Sequence, residues 1–128
     1  MTQFDLSTFE LMKKGLDLFN REMFWECHEE LEHHWLELRG DPMRNVLWAV
    51  IQVATVNFHV RNENIEGAKG MLKKSLEKID RIEKDFVESE LMEKMLSWKK
   101  LKKILREIPK NSVISDFQEL YHFKFPIN

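Results

Sequence analysis

The chain is poor in everything that staples, kinks or loosens a fold: one cysteine, three prolines and four glycines in 128 residues. A single thiol, Cys27, excludes an internal disulfide and suits a reducing compartment. So few helix breakers, with apolar residues recurring every three or four positions and no alternating strand pattern, predict an all-helical protein. Charge of one sign is also missing. With 20 basic against 22 acidic side chains, no broad electrostatic surface for nucleic acid or anionic lipid is expected. The longest apolar stretch, Val46 to Val60, falls short of the roughly 20 residues a membrane span needs and is interrupted by Gln52 and Asn57. The start, Met1-Thr-Gln-Phe-Asp-Leu6, lacks the basic and apolar regions of a signal peptide, so a cytoplasmic protein is expected.

What is present fits one domain spanning 1–128, with 43% hydrophobic and 33% charged residues. The expected architecture is an antiparallel bundle of about five main helices around a buried central one. Ser7 with Glu10 reads as a capping box for a first helix from Thr8 to Phe19, facing inward through Phe9, Met12, Leu16 and Phe19. A second runs from Met23 to Leu38 along the stripe Phe24, Cys27, Leu31, Trp35, Leu38. The third, Pro42 to Arg61 with Asp41 as cap, is apolar on every side and must be enclosed by the others.

Asn64 caps a fourth helix to about Asp85, through Ile65, Ala68, Leu72, Ile79 and Phe86. Gly67 and Gly70 read either as close-approach surfaces or as a frayed start. A fifth helix is expected from Glu88 to Arg106, on Leu91, Met95, Trp98, Leu101 and Leu105, and a short one from Asp116 to Tyr121 after a Ser115 and Gln118 capping box. The tail Tyr121-His-Phe-Lys-Phe-Pro126 is too aromatic for a solvated end and should pack on the bundle or on a partner subunit.

The chemistry concentrates in Phe24-Trp-Glu-Cys-His-Glu-Glu-Leu-Glu-His-His-Trp35. At about 100 degrees per residue, His28 falls on the inward arc with Glu32 at its edge and Glu29 one step further. Glu26, Glu30, His33 and Glu37 point away. His28 and Glu32 lie one helical turn apart and can reach one ion or one substrate atom together. On the neighbouring central helix Gln52 and His59 project in nearly the same direction, beside Trp48 and Thr55.

His28, Glu29, Glu32, Trp35, Gln52 and His59 therefore form the candidate pocket, for a divalent metal held by His28, Glu32 and His59 or for a small polar ligand. In an enzymatic version Glu29 or Glu32 is the general base and the histidines are ligands or acid. The alternatives are a hydrogen-bond network that only fixes packing, and a module that acts by association, as a homodimer through Trp25, Leu36 or the aromatic tail.

Other patterns fail on direction or context. His28-Glu-Glu-Leu-Glu32 lacks the second histidine of a zinc protease on the same face. The Glu-x-x-His spacings at Glu30 and Glu119 of di-iron bundles fall on an outer face and on a short helix. Cys27 in an apolar stripe reads as an inert thiol. The basic run Trp98 to Arg106, preceded by Glu88, Glu90 and Glu93, is the charge order an ordinary solvated helix favours.

From about Leu16 to Leu76 the chain resembles the small all-helical proteins of domain-of-unknown-function family 309. The resemblance rests on His-x-x-x-Glu-x-x-Trp at His28, Glu32 and Trp35, with Phe19-Asn20, Phe24-Trp25 and Glu29 around it, Ile51-Gln52 and His59 in the next helix, and Asn64-x-x-Gly67-Ala68 after it. The chain departs from that pattern at Trp48-Ala49 and at Glu63, and the first change makes the pocket bulkier. The resemblance implies the helical fold and singles out His28, Glu32, Trp35, Gln52 and His59. It implies no activity.

Overall fold

The computed structural model describes residues 3–127. Seven α-helices follow one another, with no strand among the described residues: α1 (Leu6–Asn20), α2 (Phe24–Glu37), α3 (Arg44–Arg61), α4 (Ile65–Lys84), α5 (Glu90–Leu96), α6 (Trp98–Glu107) and, after a 3-10 turn at Ile114–Phe117, α7 (Gln118–Tyr121). The all-helical expectation holds, with the fifth helix divided in two.

Helix α3 is the centre because it has no polar face to turn outward. Val46, Leu47, Ala49, Val50, Val53, Ala54 and Val56 are at most 1% exposed, and α2, α4 and the Ile114–Tyr121 segment all pack on it. Asp41 caps the approach by accepting the Met43 N–H at 2.9 Å, and Pro42 sits in the turn before the helix. The link from α3 to α4 is held by Asn64, whose Oδ1 accepts the Gly67 N–H at 3.1 Å. These short links lay α2, α3 and α4 side by side.

The inward face of α1 is the expected one: Phe9, Met12, Leu16 and Phe19 are buried. Its cap is not. Asp5, rather than Ser7, accepts the Thr8 N–H, and that bond holds the Asp5 carboxyl below its ordinary pKa. Phe4 then pairs its backbone N–H with Val87 O at 2.8 Å while Ser89 Oγ donates to Phe4 O, so the N-terminal segment clips the α4–α5 link to the core.

Ser97 is why one periodic run gives two helices. It takes the left-handed conformation, φ 48 and ψ 48, breaking the ladder between α5 and α6. The break shifts the phase of burial: α5 buries Met92 and Leu96, not Leu91 and Met95, while α6 buries Trp98, Leu101, Ile104 and Leu105. Glu93 compensates from outside the broken turn, its Oε2 accepting the Lys99 N–H at 2.8 Å. Phe86 also departs from expectation. It follows the α4 cap with φ 55 and is 65% exposed, so the buried stripe of α4 ends at Ile82.

The aromatic tail packs on its own bundle. Phe117, Phe123 and Phe125 are buried, and Phe125 meets Phe19 edge to face with centroids 4.9 Å apart. Asn20 fixes the tail as a strand partner would, donating to Phe125 O at 2.9 Å and accepting the Phe125 N–H at 2.8 Å. The 3-10 turn opens at Val113, whose N–H donates to Asp116 Oδ2, and Ser115 plays no capping part.

Candidate functional site

A cavity of about 270 Å3 opens where α2, α3 and α4 meet, at the small end of what a single small molecule needs. Helix α2 supplies His28, Glu32 and Trp35, helix α3 supplies Trp48, Ile51, Gln52 and Thr55, and helix α4 supplies Met71 and Lys74. Within each helix these positions are linked by steps of three or four, with Ile51 and Gln52 adjacent on α3, so each set is one stripe facing the junction. The exposed wall surface is mostly apolar, with Trp35, Trp48, Ile51 and Met71 on it, although five of the nine lining side chains are polar.

His28 is held on two sides. Its Nε2 lies 3.2 Å from Glu32 Oε2, one turn along α2, and its ring meets Trp25 edge to face at 4.8 Å. That contact assigns the Nε2 proton toward the carboxylate; Nδ1 is buried and has no protein partner. Trp35 and Trp48 form a corner, with ring centroids 4.0 Å apart and planes at 70 degrees, and the Trp35 indole N–H is buried without an acceptor. Arg44 stacks on the far side of that corner, its guanidinium carbon 3.8 Å from the Trp35 ring centroid.

Gln52 is the most unusual member of the set. It is 5% exposed, and its Oε1 is buried with no hydrogen-bond partner in the protein. A buried amide oxygen left unpaired costs about 1–3 kcal/mol; Asn57 Oδ1, away from this cavity, is likewise without a protein partner. Thr55, by contrast, is satisfied locally, donating to Ile51 O at 2.9 Å as helical threonines often do.

Four of the six residues singled out from the sequence are thus brought together: His28, Glu32, Trp35 and Gln52. Glu29 and His59 are not. Glu29 is exposed and faces a separate surface depression with Lys14, Glu26, Glu30 and His33, toward α1. His59 sits at the end of α3, where its Nδ1 pairs with Asn64 Nδ2 at 3.2 Å and its ring covers Gly67. The proposed triad of His28, Glu32 and His59 therefore does not converge, and among the described residues no three His, Cys, Asp or Glu side chains do so.

Glu30 also differs from expectation. It turns toward α1 rather than outward, 2.9 Å from His34 Nε2 and 3.8 Å from Lys14 Nζ. Cys27 is the inert thiol anticipated, pushed up to about 12 by burial with the Glu30 charge adding to the effect. Met71 and Lys74 were not foreseen in the lining. Their signal lay in α4 itself, where Met71, Lys74 and Lys78 flank the buried stripe at three- and four-residue intervals.

No helix among the described residues is long and apolar enough to cross a membrane. No curated protein and no solved structure matches the chain. Residues 12–71, from within α1 into α4, match the model of a family described as Domain of unknown function (DUF309). That span carries eight of the nine lining residues, Lys74 lying just past it, so the part of the chain that builds the cavity is the part similar to the DUF309 family.

Proposed function

We propose that the protein binds a small molecule in the α2–α3–α4 cavity, with Gln52 as the polar group that orients it. The observation that carries this reading is the unpartnered, buried amide of Gln52 on the cavity wall. Three more polar atoms without protein partners, His28 Nδ1, Trp35 Nε1 and Arg44 Nε, lie on the same or the adjoining side chains. These atoms have no partner within the protein, so a ligand that reaches them adds hydrogen bonds, while Trp48, Ile51 and Met71 supply apolar contact. The buried free Cys27 is in keeping with a cytoplasmic setting.

A divalent metal is the less supported occupant of the same place. His28 and Glu32 offer two donors on one helix, and the ligand or solvent would have to provide the rest. A catalytic role would fall to Glu32 as base, since Glu29 faces elsewhere. The experiment that tests small-molecule binding is a fragment screen observed by amide and indole NMR signals. Binding is supported when fragments move the Gln52 side-chain and the Trp35 and Trp48 indole resonances together. A library that leaves all three in place at millimolar concentration contradicts it.

Association is the second reading, favoured by Trp25 and Leu36, which are 45% and 52% exposed and lie three turns apart on one face of α2. The aromatic tail no longer contributes to it, since its phenylalanines are consumed inside the chain. Light scattering at micromolar concentration tests it: a dimer that Trp25→Ser converts to monomer supports association, and a monomeric wild type removes it.

A further inference from the structure

The charges around the cavity are unequally engaged. Among the described residues its one lining carboxylate, Glu32, is paired with His28. The nearby cations are not: Lys74 on the lining, Lys78 with Nζ 5.3 Å from the Trp48 centroid, and Arg44 on Trp35. Among the described residues none of these three takes part in an ion pair. Lys74 and Lys78 stand one helical turn apart, a like-charge spacing that works against the helix.

Lys78 feels this arrangement. Its pKa is lowered chiefly by burial and then by the charges of Arg81 and Lys74, with Glu77 acting in the opposite sense. The orphaned nitrogens Trp35 Nε1 and Arg44 Nε are donors that cannot accept. Trp35 Nε1 calls for an acceptor, and the unpaired charge of Lys74 on the lining favours one that is negatively charged.

We propose that the cavity takes a small organic anion, its carboxylate against Lys74 and its apolar body between Trp48, Ile51 and Met71. This deepens the ligand-binding reading and rests on it. A carboxylate suits a lining with one cation and mostly apolar walls, whereas a phosphoryl group calls for a denser set of donors. Gln52 then fixes orientation, since its amide can present either NH2 or oxygen to a second polar atom of the ligand.

Three probes of one shape but different charge test this: phenylacetate, the neutral phenylacetamide and the cationic phenethylamine, titrated by NMR into the full chain and its Lys74→Met variant. Phenylacetate should move the Trp35 and Trp48 indole signals and bind about tenfold more tightly than phenylacetamide, and Lys74→Met should erase that tenfold preference alone. Equal or tighter binding of the amide or amine, or a Lys74→Met variant that keeps the preference, overturns the anion assignment while leaving the pocket standing. If no probe moves the indole signals, the assignment and the pocket reading both fall.

Discussion

His59 covers Gly67 so closely that a Cβ at position 67 would stand 2.8 Å from both Cγ and Nδ1 of the imidazole. The histidine and the glycine are one device, closing the turn from α3 to α4 together with Asn64. The turn leads directly into α4, which carries Met71 and Lys74 to the cavity, and His59 itself is not among the lining residues.

Gly67→Ala should therefore destabilise the fold by about 1–3 kcal/mol through overpacking, read as a lower midpoint in thermal unfolding. Gly70→Ala is the control. Its Cβ meets nothing within 4 Å, and the helix gains propensity, so stability should rise by up to about 1 kcal/mol. Equal midpoints for the two variants would contradict the close packing of His59.

Ser97 holds a left-handed conformation between α5 and α6 that a serine adopts only at a cost. Ser97→Gly should stabilise by about 0.5–1 kcal/mol, and Ser97→Val should destabilise by more, since a branched side chain resists positive φ. Denaturant unfolding of the pair decides it: a valine variant as stable as wild type would mean one continuous helix.

Acid should weaken the α4–α6 contact before the rest. Glu83 takes two bonds from Arg106, at 2.7 and 3.0 Å, and one from Lys102 at 2.8 Å. The Arg106 bonds, with Lys102 behind them, bring its carboxyl down to about 2 from an ordinary 4.5. Lys102 in turn loses some basicity to burial but is held above its usual range by Glu83 and Glu88. A carboxyl depressed in the folded state contributes its stability fully above pH 4.5 and loses it as pH falls toward 2. Partial exposure reduces the contribution to about 1 kcal/mol. Glu83→Gln should lower stability by that amount at pH 7 and by almost nothing at pH 2, and a pH-independent difference would refute the ion-pair origin.

Chelation should change little. Because no three metal-ligating side chains converge among the described residues, excess EDTA should leave the thermal midpoint of freshly purified protein unmoved. A fall of several degrees, reversed by one added divalent cation, would reinstate a His28–Glu32 metal site.

Much of this was legible in the residues. The all-round apolar pattern of Val46 to Val60 identified the central helix, and the four-residue step from His28 to Glu32 placed both on the cavity. Direction along one helix failed for His59, because a residue in the last turn answers to the cap that follows it. It failed for Glu29 because one step of about 100 degrees carries a side chain from the α3 side of α2 to its exposed face. Ser97 gave no local warning, since nothing in a serine marks positive φ. Asn57 reads in the sequence only as a break in the apolar run, yet it is fully buried and donates to Leu120 O at 3.3 Å, a tie to α7 across 63 residues that no periodicity announces.

The most direct test of a binding role for the cavity is the thermal stability of Gln52→Met in ligand-free protein. The substitution conserves volume and replaces an unpartnered buried amide with an apolar chain, so the midpoint should rise, by the equivalent of about 1 kcal/mol, while fragment binding at the Trp35–Trp48 corner is lost. A midpoint that falls by that amount or more would show Gln52 to be a bonded part of the core, and the cavity a by-product of packing.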